Sequence, residues 1–156
     1  MQPQIKIKIA DDTITIDAPY SATNNDIYRQ KNGKYARNIG WQFPDCRPVR
    51  KMLFELFGWQ EGCGVKEVEL TTEDVQHEYV ESRDGNTAEL LYKGYVIATR
   101  QGRDYKAQIP DGVIIDEGGF PDSGGSVKHP SVVPLTGTTF VVAIYDGWDK
   151  NEGADK

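Results

Sequence analysis

Seven cations crowd residues 28–51: Arg29, Lys31, Lys34, Arg37, Arg47, Arg50 and Lys51, against a single carboxylate, Asp45. Tyr28, Tyr35, Trp41 and Phe43 are interleaved with them. Lys and Arg neutralise phosphates, and an exposed aromatic face stacks on an unpaired base at about 1–3 kcal/mol. Contact with nucleic acid through these cations and Tyr35 is therefore the leading chemical reading. The plainer alternative buries the rings and leaves the cations as a solvated face. Trp41 and Phe43 share parity on one short strand, which favours the core for both. The chain as a whole carries a net charge of −6, so the residues outside this stretch sum to −12 and would repel a long duplex beyond the patch.

The acidic counterpart lies in residues 65–90, where eight acids face only Lys66 and Arg83. Glu67 and Glu69 alternate on one predicted strand, with Glu78 on the next and Glu81 near it. Two-residue steps of about 6–7 Å would set such carboxylates at intervals close to those of phosphates. This is the second reading: an acidic face that engages the basic groove of another protein. A third candidate is the glycine-rich stretch 117–130, where Ser126, Lys128 and His129 could hold a small anion among close backbone N–H groups. It has no phosphate-loop spacing and no following helix, so a long crossover is the bland alternative.

Catalysis is hard to assemble. Ser123 or Ser126 with His129 and Asp116 makes a triad on paper, but no GxSxG elbow supports it. Cys46, Cys63, His77 and His129 lack the paired spacing of a zinc site. A non-enzymatic protein without metal or cofactor is the expectation. The two cysteines are read as free thiols, because a helix between them, rising about 1.5 Å per residue, holds them too far apart to bridge.

These residues must be positioned by regular elements. Residues 4–10 alternate, with Ile5, Ile7 and Ile9 on one face and Lys6 and Lys8 on the other, and residues 13–17 alternate again across an Asp11-Asp12 turn. Ser21 or Thr23 caps a helix running to about Lys31, with Asp26 in its first turn and Asn32-Gly33 as its stop. A short hairpin spans residues 34–43. Asp45 then caps a second helix whose stripe is Val49, Met52, Leu53, Leu56 and Phe57, ending at Gly58. Beyond Gly64 short strands follow at 65–70, 75–80, 88–92, 95–99, 104–109, 113–116 and 138–145. Turns are expected at Asp84-Gly85 and Lys93-Gly94, and 138–145 is apolar enough to be central.

The predicted class is α+β: a ββαββα unit over residues 1–60, packed on an antiparallel sheet or small barrel over 65–148, with a flexible acidic tail at 149–156. A chain of 156 residues can bury a real core, and an aromatic fraction of 10% speaks against disorder. No apolar run approaches the roughly 20 residues of a spanning helix, and the N-terminus lacks a signal-peptide core. A soluble, cytoplasmic protein with no membrane partner is expected.

The N-terminal third resembles the HARP domain that accompanies annealing helicases, and small domains of phage- and plasmid-encoded proteins. The matching residues are Ile14, Ile16, Pro19 and Tyr20, then Tyr28, Lys31, Gly33 and Tyr35. Trp41, Phe43 and Pro44 follow, then Val49, Leu53 and Phe57. In the helicase setting the resemblance implies contact with branched or single-stranded DNA. In the mobile-element setting it implies an accessory binder of nucleic acid or of a nucleoprotein complex. The runner-up is an inhibitor of a host defence protein, in the manner of an anti-CRISPR, using its acidic face.

Overall fold

Residues 1–82 and 85–151 are described by the structure, a computed structural model. The first alternation becomes a hairpin of β1 (Lys6–Ala10) and β2 (Thr13–Asp17). Asp11 and Asp12 both take positive φ, 52° and 60°, as a tight two-residue turn requires. After α1 (Ala22–Gln30), β3 (Lys34–Ala36) and β4 (Gly40–Pro44) complete a four-stranded antiparallel sheet in the order β1-β2-β4-β3. Strand pairing places Ile9, Ile14 and Phe43 in one row and Ile7, Ile16 and Trp41 in the next, on the side that faces the core, with Tyr35 extending the second row to the exposed edge of the sheet. The opposite side carries Lys8, Thr15, Gln42 and Lys34 in a row.

Ser21 caps α1, its Oγ accepting from the Asn24 N–H at 3.1 Å. Asp26 lies one residue too far along for the first turn, where it was expected, and pairs instead with Arg29 at 3.2 Å. At the other end Asn32 takes the left-handed conformation (φ 63°), while Gly33 serves close packing. A Cβ there would sit 2.5 Å from the Phe43 ring and 2.8 Å from the Tyr28 carbonyl oxygen.

Helix α2 (Arg47–Phe57) buries Val49, Met52, Leu53 and Phe57, with Leu56 half-buried. Gly58 ends it with φ 68°, as expected. The cap differs from expectation. Cys46 is the N-cap residue and makes no side-chain cap bond, because the Asp45 carboxylate is taken by the Arg50 guanidinium. Pro48 in the first turn removes one N–H that would otherwise need a partner.

Two three-stranded antiparallel sheets follow. One is ordered β5-β10-β9, from β5 (Val65–Thr71), β10 (Thr139–Tyr145) and β9 (Val113–Glu117), so the most apolar strand is central as predicted. The other runs β6-β7-β8, from β6 (Gln76–Ser82), β7 (Gly85–Tyr92) and β8 (Tyr95–Arg100). The sheets remain separate and no barrel closes among the described residues. The strand expected at 104–109 does not form. Only a Thr99–Gln108 bridge appears there, since Tyr105 turns back to Gly102 and its carbonyl is drawn to Arg100. Asp84 of the expected Asp84-Gly85 turn lies outside the described residues. The tail expected from 149 begins inside α3 (Gly147–Asn151), and residues 152–156 lie outside the described residues.

One hydrophobic cluster takes residues from both halves of the chain, from Ile5, Tyr28 and Phe57 to Tyr95, Phe140 and Ile144. Buried polar bonds join the same halves. The Gln4 side chain pairs with both backbone groups of Val96, donating to its carbonyl at 2.9 Å and accepting its N–H at 2.6 Å. Asn24 donates to the Gly94 carbonyl at 2.8 Å, and the Tyr95 hydroxyl to that of Phe57 at 2.6 Å. Cys46 and Cys63 are free thiols. No helix among the described residues is long and apolar enough to cross a membrane.

Candidate nucleic-acid interface

The end of the first sheet and the flank of α1 enclose a groove of about 800 Å³. Trp41 forms its floor, held between Tyr28 (ring centroids 5.4 Å apart) and Tyr35 (5.7 Å). Arg29, in the last turn of α1, lies over the Trp41 ring at 5.6 Å, so that face is already covered. The exposed rings are at the rim: Tyr20 is 70% exposed, and Tyr35, with one side against Trp41, 64%. Lys34 and Arg29 bring positive charge to the lining, and Asp17 is its one carboxylate. Tyr28 is buried, and its hydroxyl meets no partner among the described residues; burial pushes its ionisation well above the usual tyrosine range.

The seven cations do not act as one patch. Arg29 and Lys34 line the groove; Lys31 caps the C-terminus of α1, and Arg37 lies exposed in the turn after β3. Lys31, Lys34 and Arg37 have no carboxylate within ion-pair distance among the described residues. Arg47, Arg50 and Lys51 sit on α2 and do not line the groove. Arg50 is spent internally: it holds Asp45 at 2.7 Å and Glu61 at 3.0 Å, which lowers the Asp45 carboxyl and raises the guanidinium. Lys51 approaches Glu55 one helical turn away at 3.8 Å.

The acidic residues separate in the same way. Glu67 and Glu69 share the exposed side of β5 with Val65, and Glu67 takes the N-terminal ammonium at 3.5 Å. Glu78 and Glu81, both exposed, have opposite parity on β6, which belongs to a different sheet. The single row of carboxylates expected from alternation is therefore not formed. An odd spacing of three residues turns two strand side chains to opposite faces.

In the glycine-rich stretch, Ser126 and His129 are paired with each other. The His129 N–H donates to Ser126 Oγ at 3.1 Å, and the Ser126 N–H to the His129 carbonyl at 3.0 Å. Lys128 contributes its carbonyl, which accepts from the Tyr79 hydroxyl at 2.7 Å and from Asn86 at 2.8 Å. The His129 ring lies 4.8 Å from that of Tyr79. These bonds dock the tip of the loop on the β6–β7 hairpin. No group of three or more metal-ligating side chains gathers among the described residues.

His77 anchors the next part of the same loop. Its Nε2 accepts the Val132 N–H at 3.0 Å, and desolvation lowers its pKa below the usual histidine value. The neutral form is thus favoured on folding, so the contribution is present above the unfolded pKa, near 6.5, and fades as pH falls below it. Exchange of the Val132 amide, corrected for its intrinsic rate, should accelerate below about pH 6.5. His77→Gln, which keeps an acceptor that does not titrate, should remove that pH dependence.

Sequence reasoning named Tyr20 only as part of a motif and missed Glu89 and Arg100 as structural centres. The signal for Tyr20 was present: a tyrosine directly after the proline that ends a strand has no inward face to occupy. Nothing local marks Glu89 or Arg100, whose partners lie far along the chain. No family model matches this chain, and neither the curated proteins nor the solved structures include a match. Helices and antiparallel sheets around a shared core make it a mixed α+β protein.

Proposed function

We propose that this protein is a non-enzymatic binder of unpaired nucleic-acid strands, free or within a nucleoprotein complex, and that the groove beside α1 is its contact surface. The observation that carries this reading is the pair of exposed rings, Tyr20 and Tyr35, at the rim of a groove that holds Arg29 and Lys34. Bases stack on such rings whatever their identity, while the cations meet the phosphates: Lys34 has no partner carboxylate among the described residues, and Arg29 reaches them from its exposed pair with Asp26. The resemblance to the HARP domain points the same way, toward branched or single-stranded DNA.

The test is fluorescence anisotropy with labelled single-stranded, duplex and forked DNA and RNA over a range of salt. Single strands should bind best. With Arg29, Lys31, Lys34 and Arg37 engaged, the logarithm of affinity should fall with the logarithm of salt at a slope of about −3, at roughly 0.7 per phosphate contact. Tyr35→Ala should weaken binding by roughly 5- to 100-fold, the range for loss of one stacked base. Lys34→Glu with Arg37→Glu should weaken it further and flatten the slope. Flat baselines for every nucleic acid at low salt would retire the proposal. Arg50 is the wrong residue for this test, because reversing it breaks the link between Asp45 and Glu61.

A further inference from the structure

Two more concavities adjoin the groove, and each shares residues with it. One, of about 480 Å³, lies on the open side of the first sheet and shares Asp17 and Ile39. The other, of about 710 Å³, lies against β7 and β8 and shares Pro19 and Tyr20. Resting on the function proposed above, we infer that the three form one track for a single extended nucleic-acid strand, with phosphate contacts at the Lys6–Lys8 end and base contacts at the Tyr105 end.

The chemistry changes along the track in the way such a ligand needs. On the open sheet face, Lys6 and Lys8 stand two residues apart, about 7 Å along the strand. Both are exposed, and neither has a carboxylate within ion-pair distance among the described residues. Register places Lys8, Thr15, Gln42 and Lys34 in one row across four strands, which spans about 14 Å. That row offers ammonium, hydroxyl and amide donors and no ring, which suits a sugar–phosphate backbone. Lys34 also lines the groove, so the row leads into it. Asp17 and Asp11 are carboxylates of this lining, so the strand turns its phosphates toward the lysines there.

Beyond the groove the surface becomes aromatic and amide-rich. Tyr20 belongs to both the groove and the far cleft, and Tyr105, 60% exposed, lines that cleft. Thr99, Gln101 and Gln108 add hydroxyl and amide groups that match base edges. The two buried charges of the cleft, Glu89 and Arg100, are already bonded within the protein. Their polar atoms are engaged in these bonds, and the rings and amides are left to meet the bases.

The experiment measures affinity for oligo(dT) and oligo(U) of about 4 to about 16 nucleotides. Wild type, Lys6→Gln with Lys8→Gln, and Tyr105→Ala are compared, with circular dichroism to confirm that each variant folds. Affinity should climb through the series. The double lysine variant should reduce the salt slope on the longest oligomer by about 1.4, two contacts at roughly 0.7 each. Tyr105→Ala should weaken the longest oligomer at least 5-fold and leave the shortest unchanged. The oligo(dT) and oligo(U) arms separate DNA from RNA as the source of the strand. Affinity that is flat beyond the shortest oligomer, with both variants matching wild type, would overturn the track and leave the groove as the binder. Absence of binding to any oligomer at low salt would remove the groove reading as well.

Discussion

Glu89→Ala is expected to lower the free energy of unfolding by about 3 kcal/mol. Glu89 is 2% exposed on β7, yet its bonds are to the start of α1. One carboxylate oxygen accepts from the hydroxyls of Ser21 and Thr23, each at 2.9 Å, and from the Thr23 N–H at 3.4 Å; the other accepts the Ala22 N–H at 2.9 Å. The first N–H groups of a helix have no partner within it, and its N-terminus carries a partial positive charge, so a carboxylate from across the chain meets both needs. Alanine would leave these donors in a site with little water. Glu89→Gln should also destabilise, by somewhat less, because its amide turns N–H groups toward donors. For a chain of this length the melting temperature should drop by roughly 6–12 °C. Urea titrations at unchanged m-value measure the loss; a change under about 1 kcal/mol would show that water replaces the carboxylate.

Arg100→Ala should cost about as much, through a different mechanism. Its guanidinium is fully buried with no carboxylate within ion-pair distance among the described residues. It donates to four backbone carbonyls: Ser131 at 2.8 Å, Pro121 at 2.8 Å, Asp122 at 3.2 Å, and Tyr105. These come from two irregular stretches with few ladder bonds of their own, so one side chain organises what a sheet would otherwise hold. Bonds to a charged donor contribute about 1.5–3 kcal/mol each and are far from additive, so a total near 4 kcal/mol is expected. Arg100→Lys should recover little, since an ammonium cannot fan out to carbonyls on both sides. Hydrogen exchange should show early loss of protection at Gly124, whose N–H bonds across to the Arg103 carbonyl of the other stretch, and at Ser131, whose N–H bonds to the Gly124 carbonyl. Global unfolding with no preferential loss there would place the role of Arg100 in the core at large.

The first third of the chain was legible because its signals are local. Alternation at Ile5, Ile7 and Ile9, the Ser21 cap, the α2 stripe and the Gly58 stop each rest on neighbours within a few residues. The failures have equally specific causes. Asp45 reads as a helix cap until Arg50 competes for its carboxylate. The 104–109 run reads as a strand until Arg100 draws the Tyr105 carbonyl out of line. Alternation put Trp41 and Phe43 on the core side; Phe43 is buried there, and Trp41 is half-buried against the core with its other side lining the groove.

By itself, the sequence determined the α+β class, the order of the elements as far as Gly58 and the inward side of the strands in that first sheet. Those follow from steric periodicity and from turn residues that need no distant partner. Which charges remain available for a ligand was decided only in the tertiary structure. Glu89 and Ser21 are 68 residues apart, and Arg100 and Ser131 are 31 apart. Seven cations that look alike in the chain become an occupied Arg50, a stacked Arg29 and an open Lys34 only once the strands are in register. The physical reason is that a charge is neutralised by what lies within a few ångströms in space, and folding sets that distance across separations no local pattern encodes.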